Sequence, residues 1–137
     1  MQPKTLTGRC YCGKIQIAAD HPPLQIVYCH CSDCRRVTGA PVAAFAAFEA
    51  VTLTPDVPSV RPLSENVERR FCPDCGSPLT AAFNYLPGQV YVPLGLLDQA
   101  DDLPPELHCH ADNALIWLHI QDDNPRISGT ARDTLKS

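Results

Sequence analysis

Arg70-Phe71-Cys72-Pro73-Asp74-Cys75-Gly76-Ser77-Pro78-Leu79 carries two thiols three residues apart, with a proline between them and a glycine after the second. Pro73 fixes one φ, and Gly76 can take the positive φ that lets a backbone wrap an ion. Working outward, the same residue type clusters twice more, in Gly8-Arg9-Cys10-Tyr11-Cys12-Gly13 and in Tyr28-Cys29-His30-Cys31-Ser32-Asp33-Cys34-Arg35. Seven of the eight cysteines therefore sit in three tight groups. Clustered thiols at these spacings suit a tetrahedral soft-metal site, with zinc as the usual ion. Seven ligands divide into four plus three. A closed four-ligand site is usually structural, whereas a three-ligand site keeps a position open.

Cys10 and Cys12, two apart, would lie on one face of a strand edge and so can converge on one ion. Joined to Cys72 and Cys75, they make a four-cysteine site that closes a loop of roughly sixty residues, a useful staple for a small core. Cys29, Cys31 and Cys34 lie within six residues, so one local segment can grip three corners of a tetrahedron. His30, His108, His110, Cys109, a water or a ligand thiol are candidates for the fourth corner. Three thiolates leave zinc a weak Lewis acid, better suited to binding another thiolate than to making hydroxide. The same thiols admit other readings: disulfides, a redox C-x-x-C, or two sites that are both purely structural.

Composition narrows the rest. A length of 137 residues indicates a single domain spanning 1–137, with a core over about 5–120 and a polar tail. Fourteen prolines disfavour long helices and favour short strands between rigid turns. A net charge of −4, without any Lys/Arg run, gives no footprint for nucleic acid. No apolar stretch approaches a membrane span, and Met1-Gln2-Pro3-Lys4 lacks the apolar core of a signal peptide. The chain reads as cytoplasmic, where thiols stay reduced.

Strands are expected over residues 14–18, 24–28, 41–49, 51–54, 67–71, 79–83 and 89–92, with a last apolar strand over 115–120 around Trp117. Residues 32–38 read as a helical turn closed by Gly39, residues 55–62 as a proline loop, and residues 97–105 as acidic turns. The polar stretch from Gln121 is expected to fray. The pattern predicts a mainly β domain. Phe45, Phe48, Tyr91 and Trp117 are expected in its core, Cys109 as a buried apolar residue, and Asp98 in a turn. His108 and His110 flank Cys109 and would face away from it in a strand. Arg35 is expected either to bind a carboxylate or to be solvated.

Taken together, Gly8–Gly13, Tyr28–Arg35 with Gly39, Arg70–Leu79, Val92–Asp98, Pro105–His108 and Trp117 resemble the glutathione-dependent formaldehyde-activating enzyme family, which includes centromere protein V. The resemblance implies a small, β-tent-like domain with two zinc ions. It assigns Cys10, Cys12, Cys72 and Cys75 to a structural zinc, and Cys29, Cys31 and Cys34 to a second zinc site regarded as catalytic; with an open position, that second ion is expected to be the more labile. It further implies a carbon–sulfur lyase acting on a thiol such as glutathione and an aldehyde, forming or cleaving S-hydroxymethylglutathione or a related adduct. The other reading is a zinc-stabilised binding module without catalysis. The family usually carries basic residues where Asp112 and Asn113 stand here, and an aliphatic one in place of Cys109.

Overall fold

The structure, a computed structural model, describes residues 5–60 and 66–130. The N-terminal four residues, the end of the proline loop and the tail beyond 130 lie outside the described residues. The fold is mainly β, as the composition and periodicity require. Strands β1 (Leu6–Arg9), β2 (Gln16–Ala19) and β5 (Thr52–Thr54) form a three-stranded antiparallel sheet in the order β1-β2-β5. A larger sheet runs β6-β7-β8-β4-β3-β9, built from β6 (Val67–Phe71), β7 (Pro78–Phe83), β8 (Val90–Pro93), β4 (Ala43–Phe48), β3 (Gln25–Cys29) and β9 (Leu107–Cys109). Its neighbours are antiparallel except β3 and β9, which run parallel with Cys29 opposite Cys109.

β4 lies between β8 and β3 and is covered on both faces, which is why Ala43–Phe48 reads as a nearly continuous apolar run. Alternate residues of the large sheet supply two cores. Ile26, Ala46, Phe48 and Val92 pack with Leu6, Ile15, Ile17 and Leu53 between the sheets, and Cys10 and Cys72 belong to that core. Val27, Phe45, Ala47 and Tyr91 point to the other face and pack with Cys29, Cys34 and Cys109. The two groups of sulfurs are thus held on opposite faces of one sheet. Phe45, Phe48 and Tyr91 are buried as expected, and so is Cys109.

β1 docks on the turn at Leu96–Asp98. A Cβ at Gly8 would collide with the Leu96 carbonyl, so the close approach requires glycine. Asp98 accepts from the Thr7 hydroxyl at 2.8 Å and donates its own N–H to the Thr7 carbonyl at 2.8 Å.

Several expectations need correction. Cys10 and Cys12 are not on a strand; they lie in the turn after β1, where Gly13 N–H donates to the Cys10 carbonyl at 3.0 Å. The strands over 41–49 and 51–54 form, but β4 and β5 belong to different sheets. Residues 115–120 form no strand, and Trp117 is 61% exposed rather than in the core. The last sheet position is taken by β9 instead. The stretch from Gln121 does not fray as far as residue 129: it runs beside β9, with Ile127 N–H donating to His108 O at 3.0 Å and His108 N–H to Pro125 O at 2.9 Å. Among the described residues, no helix is long and apolar enough to cross a membrane.

Candidate metal centres

Two backbone turns of the same kind hold the four-cysteine group. In the first, Cys10 N–H donates to Ile15 O at 3.1 Å, and Ile15 N–H points at the Cys10 sulfur at 3.4 Å. In the second, Cys72 N–H donates to Ser77 O and Gly76 N–H to Cys72 O, both at 2.9 Å, with Gly76 at φ 80°. The positive φ expected from the sequence is there. Ser77 ties the turns together. Its hydroxyl accepts from Tyr11 N–H at 3.0 Å and lies 3.1 Å from the Cys75 sulfur, which it pulls down to about 5.

The four sulfurs of Cys10, Cys12, Cys72 and Cys75 lie within 4.8 Å of one another. Cys10 and Cys12 are 3.6 Å apart, Cys12 and Cys72 3.7 Å. A tetrahedron with ~2.3 Å metal–sulfur bonds has an edge of about 3.8 Å. The donor set fits a soft divalent ion such as zinc without rearrangement.

Cys29, Cys31 and Cys34 make the second group, again within 4.8 Å. Cys29 ends β3. Cys31 caps the helix α1 (Ser32–Thr38), its sulfur accepting from Cys34 N–H at 3.3 Å, and Gly39 closes that helix at φ 72°. The Cys29 and Cys31 sulfurs are 3.4 Å apart. Hydrogen bonds from the Cys29 and Cys34 thiols pull Cys31 far down, whereas contact with Cys31 pushes Cys29 up to about 12. Cys29 and then Cys31 drive Cys34 higher still. Three thiolates cannot share so small a space without a cation among them. This trio therefore also fits a soft divalent ion.

No fourth His, Cys, Asp or Glu donor joins the trio among the described residues. His30, offered by the sequence as a fourth ligand, turns instead to His108: His30 Nε2 and His108 Nδ1 are 2.9 Å apart, with the rings stacked. His108 Nε2 in turn lies 2.9 Å from Asp122, whose carboxyl that bond holds down to about 2. Arg126 donates to the same carboxylate at 2.7 Å. The chain Asp122–His108–His30 is buried at its histidine end, and His30 Nδ1 meets no partner among the described residues. Arg35, half-buried, is paired with backbone carbonyls and not with a carboxylate. It donates to the carbonyls of His30 and Asn113, each at 2.7 Å, and clips the cysteine loop to the 3-10 turn Ala111–Asn113 that follows β9.

His110 departs from the alternation expected of it. Its backbone is left-handed at φ 52°, which breaks the strand period and sends the side chain to the cavity that Cys109, Cys29, Cys31 and Cys34 also line. That cavity holds about 60 Å³ and lies against the outer core of the large sheet. Phe45, Phe83, Tyr85 and Tyr91 form its aromatic wall, with Phe83 edge-on to Tyr91 at 5.5 Å. Burial pushes the Tyr85 phenol up to about 12. Arg69, nearly buried, sits over the Phe83 ring at 5.8 Å.

Sequence reasoning did not find Asp122, Arg126 or Arg69. The first two sit in a stretch whose polarity signalled a free tail. Arg69 shares a face of β6 with Val67, and the irregular register after Arg70 turns Phe71 to the other side, so no simple alternation marked it.

No curated protein matches the chain. A crystal structure of a Rhodobacter sphaeroides protein is 19% identical, covering 88% of this chain and 99% of its own with a TM-score of 0.49. Residues 5–113 match the family described as glutathione-dependent formaldehyde-activating enzyme, a span that contains both groups of sulfurs. This chain is a member of the glutathione-dependent formaldehyde-activating enzyme family.

Proposed function

We propose that the protein is a zinc-dependent carbon–sulfur lyase that forms or cleaves the adduct of a small thiol and an aldehyde, of which S-hydroxymethylglutathione is the family's example. One observation carries this reading: four sulfurs surround one position, whereas three surround the other beside a cavity. Cys10, Cys12, Cys72 and Cys75 hold a structural zinc that staples the two turns. Cys29, Cys31 and Cys34 hold the second. When bound there, zinc supplies a soft acid that lowers the pKa of an incoming thiol and keeps it as thiolate.

The remaining work falls to the chain. The Asp122–His108–His30 chain and the Arg35 clip hold the loop that presents the three sulfurs. The buried wall of Phe45 and Tyr91 keeps bulk water from one side of the cavity. In the forward direction the thiol sulfur bonds to the aldehyde carbon, the carbonyl π pair moves to oxygen, and oxygen takes the proton that sulfur gave up. His110 lines the same cavity, which supports giving it the transfer of that proton. The cleavage direction reverses each move. We read 1–137 as one domain working in the reducing cytoplasm.

Zinc X-ray absorption on the fully loaded protein tests the reading. The average is expected to gain sulfur when a millimolar thiol is added, and Cys31→Ala is expected to abolish that gain. Two zinc ions already ringed by four sulfurs each before any thiol is added would reject the open position and leave a zinc-stabilised binding module.

A further inference from the structure

The cavity beside Cys29, Cys31 and Cys34 carries information about what approaches them. At about 60 Å³ it is small. That space takes a sulfur and a few carbons, and the rest of a longer ligand would extend toward solvent. Away from the sulfurs the lining is mainly hydrocarbon, with Val27, Phe45, Phe83, Leu86 and Tyr91 on one side, while Asp33, Arg69, Tyr85, His110 and Thr130 add polar groups. Val27, Phe45, Leu86 and Tyr91 are buried in the outer core, and Phe83 packs against it. Tyr91 does not offer its hydroxyl to an occupant, because the hydroxyl donates to Gln89 Oε1 at 3.0 Å. Arg69, over the Phe83 ring, brings positive charge to the same lining, opposite in sign to the sulfurs.

We propose that this pocket selects a short apolar thiol, or its aldehyde adduct, and that a tripeptide thiol is a poor ligand. The inference rests on the open-site reading above. The sulfur of such a ligand faces the three cysteines, and its few carbons fill the space between Phe45, Phe83 and Tyr91. Of glutathione, only the thiol-bearing carbons gain from that hydrocarbon; its two carboxylates and its ammonium do not. A short alkyl group exchanges water for hydrocarbon at the same place.

Calorimetric titration of the zinc-loaded protein with propanethiol, mercaptoethanol and glutathione tests this. Propanethiol and mercaptoethanol have the same number of heavy atoms and differ by a methyl in place of a hydroxyl. Propanethiol is expected to bind at least about tenfold tighter than either of the others. Phe83→Ala is expected to cut that advantage to within about threefold, and Phe83→Leu, which keeps the hydrocarbon, to preserve most of it. Zinc content measured on each variant confirms that its two sites are intact before titration. Glutathione or mercaptoethanol binding as tightly as propanethiol would overturn the apolar selection and leave the open site standing. Binding by none of the three would overturn the open site, and this inference with it.

Discussion

Asp122 shows how much one distant side chain can contribute. Its carboxylate is shared by His108, at 2.9 Å, and Arg126, at 2.7 Å, and through His108 it reaches His30 between two of the cysteines. The bond from His108, followed by that from Asn124 N–H and the one from Arg126, holds the carboxyl at about 2 in the folded chain. The unfolded value is about 3.9. The folded value is therefore the lower one, so the stabilisation is complete above pH ~4 and is lost as pH falls through that value toward about 2. Asp122→Asn is expected to lower the urea midpoint by an amount that is constant from pH 8 to pH 5. A gap that halves between pH 7 and pH 6 would place the effect on a histidine instead. No sequence signal marked Asp122, because a polar residue in a polar tail is unremarkable until its partner, 14 positions earlier, is known to be buried.

At the scale of elements, the strands over β2, β3, β4, β6, β7 and β8 were legible because their patterns come from local pleat and burial. The last strand was not. Leu115–Ile120 looks like a strand by composition, yet the sheet edge nearest to it in the chain is already taken. The edge of β3 belongs to β9, and the outer side of β9 is lined by the stretch containing Arg126 and Ile127. Trp117 is left 61% exposed and Ile116 93%. A pair of substitutions separates docking from mere hydrophobicity. Gly8→Ala, where the new Cβ would strike the Leu96 carbonyl, is expected to cost about 1–3 kcal/mol in chemical denaturation. Trp117→Ala is expected to stay within about 0.5 kcal/mol of the parent, far from the ~3–5 kcal/mol of a core tryptophan. A large loss at Trp117 would mean that the segment is packed after all.

For the molecule as a whole, the division between the two sulfur groups follows from the sheet. One group lies in the core between the sheets, and the other lies on the outer core beside a cavity. The first joins turns some sixty residues apart, so a metal held there would contribute to folding; the second group sits on one short segment. Cys72→Ser is accordingly expected to leave the domain largely unfolded at 25 °C, whereas Cys34→Ser removes one zinc and keeps most of the strand signal in circular dichroism. Chelator titration of the parent is expected to release the two ions in separate steps, with loss of structure only in the second. Equal melting losses in the two variants, or a single release step, would reject this division of labour.

The two groups of sulfurs were readable from the chain alone. Thiol spacing is a local property, and the turns that present Cys10, Cys12, Cys72 and Cys75, like the helix capped by Cys31, are encoded within a few residues of each sulfur. The sequence also determined the mainly β architecture, through the period of the strands and the density of proline. What stands around those sulfurs came from the folded chain. It turned His30 away from the sulfurs and toward His108, brought Asp122 beneath that pair, and swung His110 to the cavity by a left-handed residue. The wall of Phe45, Phe83 and Tyr91 was assembled in the same way, from three separate strands. Each of these depends on contacts between residues far apart in the chain, whose register no local pattern records.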